Sequence, residues 1–324
     1  MVGVKDNTAR KYAKRFPELS TKALAELMHF ECKGEFKSYE NARCGIRYQR
    51  GLMPKGRCKT NYITDPVPFH PYVPKSDAVS VRPTQLNAKG RGTIISDVHL
   101  PYHDKKAVEL ALQHAIENGH TDYLIILGDL ADCYQESYFS RDPRLRRFPE
   151  EVEIVKSFLD EMTDIFSMVK YKFGNHERRH ESYMRCNAPD LLGLPNMDLH
   201  EIFELGKKGV SYIPWNVVIQ AGHLTLLHGH EYGRSFWSPV NPARGLYLRA
   251  KATAICGHYH QTSHHSESNI RGVVDSCWSL GCLCTLNPEY RPLNKWDHGF
   301  GLMEYDGEGD FEIQLKRIIN GKVY

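Results

Sequence analysis

From Gly92 onward, short continuous apolar runs alternate with longer segments of mixed character. The runs GTIISD and YLIILGD have no polar face, which is the pattern of parallel strands buried on both sides. VKYKF, LTLLHG and ATAICG supply further strands, and Lys105–Asn118 and Pro149–Met168 are predicted helices between them. After Arg271 the pattern becomes more purely β. It ends in GLMEYDGEGDFEIQLKRI, a predicted hairpin with Gly and Asp at its turn. Alternation followed by late antiparallel strands implies one layered α/β domain over residues 92–324.

The first 60 residues read differently. Three short helices are predicted: Thr8 to Phe16, closed by Pro17; a second N-capped by Ser20 and running through TKALAELMHF; and a third from Ser38 that stops at Gly51. Ala23, Leu24 and Leu27 with Ala42, Ile46 and Tyr48 are the candidate core of this region. Two readings stay open for it, a helix-turn-helix-like module with a basic third helix and a basic helical cap on the larger domain. Residues 61–91 carry Pro66, Pro68, Pro71, Pro74 and Pro83, which exclude regular helix and predict an extended linker.

Charge sharpens this division. Residues 1–60 hold fourteen Lys/Arg against six Asp/Glu, so a chain of net charge +3 combines a basic arm of +8 with an acidic remainder of −5. Such an asymmetry points to a polyanionic partner, DNA or RNA, for the N-terminal region. No apolar run reaches the roughly 18 residues of a spanning helix, and the N-terminus lacks the apolar core of a signal peptide. Nine cysteines without a CxxC pair suggest reduced thiols, so a cytoplasmic protein is expected.

The chemistry sits directly after the predicted strands. Asp97-Val-His99 follows GTIIS, and Gly128-Asp129-Leu-Ala-Asp132 follows YLIIL. Gly174-Asn175-His176-Glu177 follows VKYKF, His228-Gly-His230 follows LTLL, and Gly257-His258-Tyr-His260 follows ATAI. Strand C-terminal ends are where open α/β sheets place their ligand crevice. Each motif alone has an ordinary explanation as a turn, a helix cap or surface histidines; five in order do not. Carboxylates, imidazoles and one amide form a set suited to Mn²⁺, Fe, Zn²⁺ or Mg²⁺ rather than Ca²⁺ or copper.

This array resembles the calcineurin-like metallophosphoesterase superfamily over roughly Thr93 to His260, in wording closest to phage and bacterial members. The resemblance implies a layered β-sandwich flanked by helices, with the small N-terminal helical region outside it. It also implies two divalent ions, Mn²⁺ first and Fe, Zn²⁺, Mg²⁺ or Ni²⁺ as alternatives. One would be held by Asp97, His99 and His260, the other by Asn175, His228 and His258, with Asp129 bridging. His228 is preferred to His230 because it follows the strand immediately, and His223 is a weaker candidate. His176 becomes the acid that protonates the leaving oxygen, oriented by Asp132, and the attacking group a metal-bridging hydroxide. Arg178, Arg179 and His103 are candidate substrate contacts, each with a duller alternative such as pairing of an arginine to Glu177 or Asp132. Arg234, Phe236, Trp237 and Arg244 are a candidate basic and aromatic wall.

The expected activity is hydrolysis of phosphodiester bonds in nucleic acid or nucleotides. The alternatives are a phosphomonoesterase or protein phosphatase, against which the missing GDYVDRG wording counts, and a non-catalytic scaffold of the same fold, against which the full ligand set counts.

Overall fold

The computed structural model describes residues 4–53, 73–233 and 240–324, with side chains from residue 7 onward. Of the sequence features above, Pro66, Pro68, Pro71, Arg234, Phe236 and Trp237 lie outside the described residues. The chain divides into two compact units, Met1–Ala78 and Val79–Tyr324.

The first unit is a three-helix cluster of α1 (Val4–Arg15), α2 (Thr21–Glu31) and α3 (Tyr39–Gln49). Ser20 and Ser38 cap α2 and α3, their hydroxyls accepting the backbone N–H groups of Ala23 (3.1 Å) and Asn41 (3.3 Å). The small core is Ala9, Ala13, Leu24, Ala25, Met28, Phe36, Ala42 and Ile46. Leu24, Ala42 and Ile46 stand in it as expected, whereas Ala23, Leu27 and Tyr48 are only half-buried. Arginines of α3 and its C-cap work within the unit: Arg43 pairs with Glu40 (3.1 Å), and Arg50, the C-cap, donates to the carbonyls of Phe16 (3.2 Å) and Pro17 (3.4 Å).

The second unit runs β1 (Thr84–Gln85), β2 (Gly90–Ile95), α4 (Lys105–Glu117), β3 (Tyr123–Leu127), α5 (Phe148–Ile165), β4 (Val169–Lys172), α6 (Arg178–Asn187), α7 (Leu199–Ile202) and β5 (Ser211–Ile213). It continues β6 (Ile219–Ala221), β7 (Leu224–Leu227), α8 (Pro242–Ala250), β8 (Ala254–Cys256), β9 (Ser263–Ser268), β10 (Val274–Ser279), β11 (His298–Tyr305), β12 (Phe311–Ile319) and β13 (Lys322–Val323). Two sheets result, of order β13-β12-β11-β2-β3-β4-β5 and β1-β6-β7-β8-β10-β9. In the first, β2 to β5 are parallel and the late hairpin β11–β12 adds antiparallel to β2.

The unbroken apolar run of β3 now has its physical reason. Tyr123, Ile125 and Leu127 join a core with Ile219, Leu224, Leu226 and Ile255 of the other sheet, while Leu124 and Ile126 pack with the α4 and α5 side chains Ala111, Ala115, Val155 and Leu159. Both faces of the strand are buried, so neither tolerates polar alternation. No helix among the described residues is long and apolar enough to cross a membrane, and their cysteines are free thiols.

Candidate metal centre

The five motifs converge at the ends of β2, β3, β4, β7 and β8. Beyond β2 and β3 the two loops keep exchanging backbone hydrogen bonds: Asp97 N–H reaches Gly128 O (3.2 Å), His99 N–H reaches Asp129 O (3.0 Å) and Asp132 N–H reaches Leu100 O (3.0 Å). The first two motifs are thereby carried side by side past the sheet edge. Asp97, His99, Asp129, His258 and His260 all have positive φ, between 52° and 68°. Such a run of left-handed non-glycine residues is costly, and its clustering at one spot marks a functional site. Gly128 (φ 92°) allows a close approach, since a Cβ there would collide with the His228 ring. A Cβ on Gly174 would likewise run into the Asp129 carboxylate.

Five of the seven candidate ligands, Asp97, His99, Asp129, His228 and His260, are held by one atom and offer another. Asp97 Oδ2 accepts the Ser96 hydroxyl (2.5 Å) and the His258 backbone N–H (2.8 Å), and its buried Oδ1 has no hydrogen-bond partner. His228 gives its Nδ1 proton to the Leu127 carbonyl (2.7 Å), so Nε2 turns its lone pair toward Asp129 Oδ2 at 3.1 Å. His99 Nδ1 is taken by Asp132 Oδ1 (2.9 Å), which points Nε2 at His260 Nε2 (3.3 Å). His260 Nε2 in turn lies 3.1 Å from Asp97 Oδ1. Asp129 Oδ1 accepts the backbone N–H of His176 (2.9 Å). Asn175 Oδ1 is buried without a partner. Orphaned buried acceptors are rare because each forfeits its hydration. Here Asp97 Oδ1 and His228 Nε2 are orphaned 3.9 Å apart, Asn175 Oδ1 is orphaned in the third motif, and the groups Asp97–His99–Asp129 and Asp129–His228–His258 each bring their ligand atoms within 4.8 Å of one another. The residues fit divalent cations, with imidazoles oriented by their second nitrogen as metal-binding histidines are.

The electrostatics agree. Against the cost of burial, the charges of His260 and His228 hold the Asp97 carboxyl well below the usual carboxylate range. Asp129 is likewise held low despite its burial, by His228 and His176. Burial opposes charge on His228 too, yet Asp129 and Asp97 push it up to about 9. A nitrogen lone pair facing two carboxylates needs a cation between them, either a proton or a metal ion.

His176 stands at the rim, half-buried. Its Nδ1 proton goes to the Asp132 backbone carbonyl (2.9 Å), with Asp132 Oδ1 also close (3.1 Å), and Nε2 accepts from Arg179 Nη2 (3.0 Å). Asp132 therefore faces both His99 and His176. Arg179 meets the Asp132 carbonyl (2.9 Å) and carboxylate (3.5 Å) as well. Arg178 stacks on Trp215, its guanidinium carbon 3.9 Å from the ring centroid. His103 is half-buried with an unpartnered Nδ1 and does not line the groove that opens past Asn175 and His258. His223 packs against Phe311, not in the centre.

Three residues were not anticipated from the sequence. Glu177 is buried, and its carboxylate accepts the N–H groups of Asp129 (3.1 Å), Ala131 (3.1 Å) and Gly174 (2.7 Å) and the Tyr171 hydroxyl (2.6 Å), tying the second motif to the third. Glu231 does the same for the fourth, accepting from His228 (3.1 Å) and Gly229 (2.7 Å) and pairing at 2.7 Å with Lys172, which is fully buried. Cys284 Sγ lies 3.6 Å from His260 Nδ1. Only Glu177 carried a signal, its place in GNHE; the others are distant in sequence or lie beside a motif without belonging to its pattern.

No curated relative matches the chain. A crystal structure of a Vps29 single mutant from Entamoeba histolytica is similar at 13% identity, with a TM-score of 0.38, covering 72% of this chain and 96% of that one. The sequence model of the calcineurin-like phosphoesterases matches residues 91–269, more than half of the 324 residues and all five motifs. The chain belongs to the calcineurin-like phosphoesterase family, whose chemistry is metal-dependent hydrolysis of phosphate esters.

Proposed function

We propose that this protein is a two-metal phosphodiesterase acting on nucleic acid or nucleotides. Asp97, His99 and His260 would hold one ion, Asn175, His228 and His258 the other, and Asp129 would serve both. The observation that carries the reading is the pair of orphaned buried atoms Asp97 Oδ1 and His228 Nε2 beside the Asp129 carboxylate, with a third orphaned acceptor, Asn175 Oδ1, in the motif whose His176 N–H binds Asp129. Ions bound there supply polarisation of the phosphoryl group and acidification of water. Mn²⁺ is the first choice for this oxygen and nitrogen set, which also suits Fe, Zn²⁺, Mg²⁺ and Ni²⁺.

The chain's own contribution is the proton and the positioning. His176 Nε2, 3.8 Å from Asp129 Oδ2, is the atom that delivers a proton to the departing oxygen. Its Nδ1 is anchored by Asp132, which fixes the ring. Arg179 donates to that same Nε2 at 3.0 Å, so protonating His176 frees the guanidinium to turn to a non-reacting phosphoryl oxygen. A diester is favoured over a monoester by the open groove of about 700 Å³ that leaves the centre past Asn175 and His258, with room for a chain beyond the phosphate.

Hydrolysis of bis-p-nitrophenyl phosphate and p-nitrophenyl phosphate with Mn²⁺ tests this. A clear preference for the diester is expected. Activity on the monoester alone overturns the reading in favour of a phosphomonoesterase, and no activity on either with metal bound would make the protein a scaffold.

A further inference from the structure

The groove lined by Asn175 and His258 is lined also by Arg178, Arg179 and Tyr183 of α6 and by the loop 137–141. In that loop Tyr138 and Phe139 stand 74% and 60% exposed, with ring centroids 4.1 Å apart and planes inclined by 33°. Two large aromatic rings held side by side in water give up hydrophobic burial that inward packing would have provided. Beside them the Arg141 guanidinium carbon lies 5.8 Å from the centroid of the Tyr183 ring, a cation held near an aromatic face. Among the described residues, the one carboxylate lining the groove is Glu136, and it is taken by His180 at 2.9 Å. The lining is thus cationic and aromatic, in line with the candidate catalytic centre.

We propose that this groove holds a single-stranded polynucleotide, with Tyr138 and Phe139 as a stacking platform for a base beyond the scissile phosphate and Arg141 and Arg178 following its backbone. The inference rests on the phosphodiesterase reading above and narrows its substrate. Cationic side chains match a phosphate chain, and paired aromatic rings match unpaired bases, whose flat faces a duplex hides within its own stack. A phosphopeptide would use the arginines but has no flat group in register to need the ring pair.

The test compares wild type with the double variant Tyr138→Ala/Phe139→Ala, as full chain with Mn²⁺, on a single-stranded oligonucleotide, the same strand in a duplex, and bis-p-nitrophenyl phosphate. Wild type should cut the single strand in preference to the duplex. The double variant should lower the ratio of kcat/KM on the oligonucleotide to that on the small diester by about tenfold or more, the loss expected from one stacked base. Tyr138→Phe should keep most of that ratio, because the ring and not the hydroxyl does the stacking. A ratio unmoved by the double variant, or equal cutting of strand and duplex, overturns the proposal. If wild type cuts the small diester but no oligonucleotide, this inference falls and the diesterase reading stands. If it cuts only monoesters, including a phosphopeptide, both fall.

Discussion

Glu177 organises the centre without offering it a ligand. One carboxylate oxygen accepts Asp129 and Gly174 N–H, the other accepts Ala131 N–H and the Tyr171 hydroxyl, so both are saturated by donors. An amide in its place would turn an NH₂ group toward two donors whichever way it flipped. Glu177→Gln should therefore cost about 2–4 kcal/mol of stability, measured by denaturant unfolding, and weaken metal retention because Asp129 and Gly174, the residue before Asn175, lose their shared anchor. Stability within about 0.5 kcal/mol of wild type would show the clamp to be dispensable. His176 lies on the other side of the division between holding and reacting. His176→Asn should lower kcat by roughly 10²–10⁴-fold, the usual worth of a placed acid, while metal content by elemental analysis stays at the wild-type value. Loss of metal instead would move His176 into the ligand set. The convergence of the five motifs was legible because each follows its strand by a fixed short step. Glu231 and Cys284 were not, because their contacts with His228 and His260 are made by the folded chain and not by a motif pattern.

At the scale of elements, strands were more readable than the contacts between them. β2 and β3 announce themselves as continuous apolar runs, and the β11–β12 hairpin by its Gly- and Asp-rich turn. The role of α5 could not be read, since its first turn contributes a buried acid. Glu151 lies at its N-terminal end, accepting the Cys133 N–H at 2.6 Å beneath the loop that carries Asp132. Burial, with Asp132 and Glu136 adding to it against the Cys133 N–H, raises the Glu151 carboxyl from 4.5 to about 8. The folded chain therefore keeps this proton over a window in which the unfolded chain releases it. Stability from this group is fully present below about pH 4.5 and is lost as pH climbs toward 8. Glu151→Gln mimics the neutral acid and keeps an acceptor for Cys133. Its Tm should match wild type near pH 4 and exceed it by roughly 5 °C or more near pH 8. Parallel Tm curves across that range would mean that Glu151 is ionised in the folded protein.

For the whole molecule the open question is what the basic N-terminal region adds to an acidic hydrolytic unit. Its three helices form a compact cluster with its own core, as the apolar positions of the second and third helices implied. Its charge was legible from composition, but the use of that charge was not: Arg50 ties the helix ends together and Arg43 is paired with Glu40. Among the described residues the remaining cations are chiefly lysines spread over α1, α2 and the turn before α3, which suits contact with a phosphate backbone rather than reading of bases. Delivery by such a surface is electrostatic, so it has a signature in salt. The full chain should bind DNA with an affinity that falls at least about tenfold between roughly 50 and 200 mM salt. A chain starting at Val79 should bind more weakly, with a slope of log K against log salt smaller by about two or more, while its kcat on bis-p-nitrophenyl phosphate is retained. Equal affinity and equal slope for the two chains would assign the N-terminal helices another purpose. Lost kcat on the small diester would instead mean that these helices support the centre itself, which net charge has no means of doing.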